Sequence, residues 1–114
     1  MTHEMQEHHQ NNIIAAQLVC EYIHRSCGEI SQPVKQLAAL DVFRALLNTT
    51  PDEVLTYVQN NIEMQQIFGL GKVPTSRDIA RQGLRVRRQR PKLVNEIRSY
   101  LSKHQPPIKV TGIG

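Results

Sequence analysis

The sequence predicts an all-α protein of about five short helices in one compact domain. Two observations point to helix, and a third points away from sheet. Apolar residues recur at steps of three and four through most of the chain. Three helix-start signatures stand at Pro33, Thr50-Pro51 and Thr75. No stretch alternates apolar and polar residues at the period of two that a half-buried strand requires, and Val110 with its neighbours is too short a run to count. A chain of 114 residues fits a single domain with a modest core. Order is expected over about residues 11–104, between loose ends.

Met1–Gln10 is polar and His-rich and reads as a frayed tail. The first helix is expected over Asn11–Cys27, where Ile13, Ala16, Cys20, Ile23 and Cys27 form one stripe and Gly28 offers a left-handed cap. Ser31 or Gln32 with Pro33 opens a second helix to Leu47, proline being tolerated where the first-turn N–H has no partner anyway. Its stripe is Gln36, Ala39, Leu40, Phe43, Leu46 and Leu47, widened by Leu37. Thr50-Pro51-Asp52-Glu53 is the clearest start: Thr caps, Pro takes the first position, and Glu reaches back to complete a capping box. The acids also complement the positive helix end. This third helix should run to about Phe68, bury Val54, Leu55, Val58, Ile62 and Phe68, and end at Gly69 and Gly71.

Thr75 and Asp78 repeat that grammar, with Ile79 and Ala80 as the buried positions of a short fourth helix that Gly83 stops. The fifth is expected around Pro91–Lys103, on the stripe Leu93, Val94, Ile97, Tyr100 and Leu101, and Pro106-Pro107 forbids its continuation. Ile108–Gly114 reads as a loose tail.

Composition narrows the classes. Trp is absent and the aromatics are Tyr22, Phe43, Tyr57, Phe68 and Tyr100, so the core rests on aliphatic residues. No run approaches the roughly 20 apolar residues of a membrane span, and the start lacks a signal-peptide pattern; a cytoplasmic protein is expected. Cys20 and Cys27 lie two turns apart on one helix, about 10 Å along its axis. That is beyond the roughly 7 Å Cα separation a disulfide allows, so two small buried thiols are expected.

Charge is distributed very unevenly. Residues 1–68 carry three Lys or Arg against eight acids, a net of −5; residues 69–114 carry eleven against two, a net of +9. An asymmetry of this kind points to an acidic partner, nucleic acid above all. From Arg77 to Lys92 six of seven cations are Arg, whose fork of donors grips phosphate and bonds a guanine edge in two places. The candidate nucleic-acid-binding residues are Ser76, Arg77, Arg81, Arg85, Arg87, Arg88, Arg90 and Lys92, with the backbone N–H groups of Ser76 and Arg77 offering a helix start to a phosphate. The competing readings are an acidic protein surface as partner, or arginines paired with the acidic half of the same chain.

Pro74-Thr75-Ser76-Arg77-Asp78-Ile79-Ala80-Arg81 resembles the first helix of many helix-turn-helix transcription regulators. In that motif a small residue, here Ala80, lets a second helix pack close, and a glycine, here Gly83, follows in the turn. The resemblance spans residues 74–101, about a quarter of the chain, and implies DNA binding and transcription regulation. Two features depart from it: Leu84 follows the glycine rather than preceding it, and Pro91 stands where a recognition helix would continue. Either the second helix starts near Pro91, or Arg85–Arg90 is an extended basic arm.

No enzyme or cofactor pattern emerges. His3, Glu4, Glu7, His8 and His9 do not form the HExxH zinc spacing, because Glu7 takes the second His position, and no metal is expected. Gly69-Leu70-Gly71-Lys72 lacks the spacing and the hydroxyl residue of a phosphate loop. The apolar stripes leave a second functional class open: a helical adaptor or anti-activator that covers a helical protein partner, such as a transcription regulator. Phe43, Leu47, Leu55, Val58 and Ile62 are the candidate interface residues, for a homodimer or for such a partner.

Overall fold

In the computed structural model, residues 3–82 and 84–110 are described, with the side chains of residues 3–7, 84 and 85 outside that description. Six helices follow one another, and no strand occurs among the described residues. They are α1 (His3–Ser26), α2 (Gln32–Leu47), α3 (Pro51–Gln59), α4 (Ile62–Ile67), α5 (Ser76–Ala80) and α6 (Leu84–Lys103). None is long and apolar enough to cross a membrane.

The local grammar acts as the sequence predicts at two starts. Thr50 Oγ1 accepts the Glu53 N–H at 3.2 Å while the Glu53 carboxylate takes the Thr50 N–H at 3.4 Å. Thr75 and Asp78 exchange the same pair of bonds at 3.2 and 2.9 Å. Each box satisfies two of the donors that a helix start leaves orphaned.

Six expectations are corrected. The N-terminal segment from His3 on is the beginning of α1, not a frayed tail; no Pro or Gly interrupts it, and His9 anchors it across the fold through 2.7 Å to the Tyr57 hydroxyl and 3.3 Å to Asn61 Nδ2. The left-handed cap falls at Asn48 (φ 59°) and Gly69 (φ 68°), whereas Gly28 takes no positive φ. The third helix is broken at Asn60-Asn61, where Asn61 Oδ1 caps α4 by accepting the Met64 N–H at 3.2 Å. Asparagine offers the backbone this local alternative to helix. The break turns Ile62 outward to 71 % exposure. Ala80 is exposed too, and α5 sends Ile79 alone of that pair inward.

The fifth correction concerns the basic segment. Arg85–Arg90 is neither an extended arm nor a lead-in to a helix at Pro91: α6 runs through the proline without a stop. An interior proline costs about 3 kcal/mol by losing one bond and crowding the carbonyl four residues back. Here that carbonyl belongs to exposed Arg87, where water can serve it, and the helix is held on both sides of Pro91 by partly buried Val86 and by buried Leu93 and Val94.

Buried residues from all six helices join one apolar cluster. Helix α2 is its hub, packing on α1, α3, α5 and α6. Ala15 and Ala16 on α1 and Ala38 and Ala39 on α2 are interior, and such small residues let helix axes approach closely. Phe43 and Phe68 meet at 5.3 Å between ring centres, tilted by 54°, one of the favoured aromatic geometries. Beyond α6 the chain turns back: Ile108 N–H bonds the Leu101 carbonyl at 3.0 Å, Asn11 Nδ2 bonds the Lys109 carbonyl at 3.1 Å, and Ile108 and Val110 lie against the core. Residues 108–110 are therefore docked rather than loose; residues 111–114 lie outside the described part.

Candidate nucleic-acid interface

Helix α6 lies on the bundle by one side only, against α1 and α2. Leu93, Val94, Ile97 and Leu101 are buried there, with Val86 at the margin. Arg87, Arg88, Pro91, Lys92, Asn95, Glu96, Arg98, Ser99 and Tyr100 are exposed. At 3.6 residues per turn, the outward stripe opposite the core runs Arg88, Pro91, Asn95, Ser99, Ser102. Arg87 and Arg98 flank it on one side and Lys92 on the other. Glu96, its only acid, stands about 100° round from Asn95, at the rim of a cleft of about 310 Å³ lined also by Ser26, Gln89, Lys92 and Leu93.

The predicted residues fare differently. Arg77 and Arg81, at α5 and its C-cap, are exposed, as are Arg87, Arg88 and Lys92. The Arg85 side chain lies outside the described residues. Ser76 is half-buried. The protein's own anion stands beside the helix start expected to hold a phosphate there, because Asp78 Oδ2 takes the neighbouring Thr75 N–H. Hydrogen bonds from the Thr75 backbone and side chain, aided by the nearby Arg81 and Lys72 cations, hold the Asp78 carboxyl below its ordinary value.

Arg90 is corrected from surface cation to structural one. Half-buried, it places Nη1 at 3.0 and 3.3 Å from the two carboxylate oxygens of Asp41 on α2. Asp41 also receives the Arg44 Nε–H at 2.8 Å, and its side chain is only 6 % exposed. Arg98 donates to the Ala45 carbonyl at 3.1 Å, tying α6 to the last turns of α2. Among the described residues, ion pairs engage Arg25, Arg44 and Arg90, whereas Arg77, Arg81, Arg87, Arg88 and Lys92 form none.

The predicted interface residues lie elsewhere. Phe43, Leu47, Leu55 and Val58 are interior, between 0 and 7 % exposed, so they build the core of one chain and offer no face to a second. Ile62 alone of that set reaches the surface.

Sequence reasoning missed Asp41, the acid that consumes Arg90. Its signal was an acid set between Leu40 and Val42 in the middle of an apolar helix, three residues before an arginine. It also missed the polar joint of His9, Tyr57 and Asn61. Tyr57 is pushed above the ordinary tyrosine range by burial, partly offset by a hydrogen bond with Asn12 and reinforced by Glu63. Cys20 shares a shallow cleft of about 200 Å³ with His24 and Lys35, a setting in which a reactive thiol would be worth weighing. Its Sγ instead donates to the Ile67 carbonyl at 3.6 Å, and burial raises its pKa to about 11, so it holds its proton. Among the described residues no three His, Cys, Asp or Glu side chains gather as a metal site.

Known proteins offer no guide to this surface: no family model, no curated protein and no solved structure matches the chain.

Proposed function

We propose that this protein is a regulator that binds duplex DNA through the exposed face of α6, extended by Arg77 and Arg81 of α5. One observation carries the reading: five cations on these two helices and the α5 C-cap are exposed and form no ion pair among the described residues. The sequence left open that the arginines neutralise acids of their own chain; Arg90 does so through Asp41, Arg81 only at longer range near Asp78, and Arg77, Arg87, Arg88 and Lys92 form no ion pair among the described residues. An array of unpaired guanidinium and ammonium groups along a protruding helix suits a phosphate backbone, whose counterions it displaces. A helix of about 10–12 Å diameter also matches a major groove about 12 Å wide.

The adaptor reading rested on apolar stripes in α2 and α3. Those stripes are spent on the core, which leaves Ile62 as their sole exposed member, and the DNA reading is preferred for that reason. It requires no dimer face.

Fluorescence anisotropy with a labelled mixed-sequence duplex tests it. Binding should weaken steeply with salt, with a slope of about −3 to −5 in log K against log salt if three to five phosphates are contacted. The triple reversal Arg87→Glu, Arg88→Glu, Lys92→Glu should abolish binding while leaving the helical spectrum and the unfolding midpoint close to the parent's. Arg90 is left out of the set because its reversal would face Asp41 and strain the fold itself. A wild-type protein that ignores duplex DNA at low salt would end this reading.

A further inference from the structure

We infer that Asn95 is the residue through which α6 reads sequence, by bonding the major-groove edge of an adenine; the inference rests on the DNA-binding reading above. Asn95 lies at the centre of the exposed stripe, about 160° round the helix from fully buried Ile97. Cations stand on either side of it at helical spacing. Arg87 lies about 80° to one side, where Arg98 also stands with one N–H spent on the Ala45 carbonyl, and Lys92 lies roughly 60° to the other. A helix seated in a groove with this arrangement presents its flanking charges to the two phosphate walls and its centre line to the base edges. Arg88 stands on the centre line two turns toward the helix start, about 20° from Asn95, and the rest of that line is uncharged: Pro91, Asn95, Ser99, and Ser102 already turned back to the Ser99 carbonyl at 3.0 Å.

The chemistry of the amide selects the base. Asn offers one donor and one acceptor in a plane, and adenine alone presents the matching acceptor N7 and donor N6 in the major groove. Folding does not account for this residue. Asn95 is exposed and has no hydrogen-bond partner among the described residues, and Asn is a weaker helix former than the Ala, Glu, Lys or Arg that an idle surface position favours. Substitution there should not unfold the protein.

The test is selection from a randomised duplex pool, followed by binding to the enriched duplex and to mixed-sequence duplex. The wild type should enrich a motif with a fixed adenine. Asn95→Ala should lose discrimination at that position by about tenfold or more while its affinity for mixed-sequence duplex stays within about twofold. Lys92→Ala should do the opposite, weakening all duplexes alike and lowering the salt slope by about one. If Asn95→Ala enriches the same motif with undiminished preference, the inference is wrong. If the wild type binds every duplex equally, the inference falls and the DNA-binding reading stands. If the wild type binds no duplex, both fall.

Discussion

The carboxylate of Asp41 on α2 and the guanidinium of Arg90 on α6 meet at 3.0 Å, and the residues that make this contact stand 49 apart in the chain. Asp41 is the acid best shielded from water among the ion-paired groups, and it serves Arg44 at the same time. Its removal strands one half-buried and one mostly buried arginine. Asp41→Ala should therefore lower stability by about 1–3 kcal/mol, read as a reduced urea midpoint with an unchanged slope. Arg90→Ala should cost less, because Arg44 still satisfies the carboxylate. Equal costs would mean that the two arginines do not share the acid.

The cap of α5 should respond to acid. Hydrogen bonds from Thr75 depress the Asp78 pKa below 3.8 in the folded protein. A group with a depressed folded pKa stabilises the fold above its unfolded value, and that contribution fades as pH falls through the folded one. The Asp78 and Thr75 amide resonances should hence stay constant down to about pH 4 and shift below it. Thr75→Ala keeps the backbone N–H that contributes most and removes the hydroxyl, so the Asp78 midpoint should rise only part of the way toward 3.8, while the lost cap costs about 1 kcal/mol. A midpoint that does not move would show that the Thr75 hydroxyl contributes nothing to the shift.

Val58 and Ile62 are four residues apart and should answer substitution in opposite ways. Val58 is fully buried and Ile62 is 71 % exposed. Val58→Asp places a carboxylate in the core with no partner, and the cost should exceed what a domain with about 5–15 kcal/mol of stability can bear. The circular dichroism spectrum should be that of an unfolded chain. Ile62→Ser should leave the unfolding midpoint within about 0.5 kcal/mol of the parent's. A folded Val58→Asp monomer would place Val58 outside the core.

The Cys20 thiol should be sluggish. With its pKa raised from 9.0 to about 11, it carries about a hundredfold less thiolate than an unperturbed cysteine at any neutral pH. Its reaction with a disulfide reagent at pH 7.5 should be slow in the native protein and become fast in urea. Rapid native labelling of Cys20 would contradict its shielded setting.

What was readable in the sequence was what is local. The boxes at Thr50 and Thr75 each close within four residues, so composition alone announces them. The stripe of α2 was legible because its repeat and its burial coincide. The break at Asn60-Asn61 was hidden for the same reason in reverse: Val58 and Ile62 keep helical spacing across it, and only the Asn61 cap, fixed in space by Met64 and His9, shows that the axis has turned. Proline at 91 looked like a boundary because its cost is local, whereas the packing that outweighs it comes from α1 and α2. Of the candidate surface, the exposed cations were found by charge counting. Arg90 was misassigned because its partner belongs to another helix. Asn95 carries no charge and no periodic signal, and its position becomes meaningful only once the inward face of α6 is known.

Helix α2 touches four of the other five helices, and six consecutive residues, Ala38 to Phe43, are buried on it. A helix run enclosed on every side has no fluctuation of its own that brings its amides to water. Their hydrogen exchange can proceed only when the surrounding helices come away together. These six amides should be the slowest in the chain, and their common exchange rate is a direct gauge of the global unfolding free energy under native conditions, without denaturant. The one-sided attachment of α6 leaves its outward amides outside that gauge. The difference between the two sets measures how far that helix can loosen while the rest of the bundle stays whole.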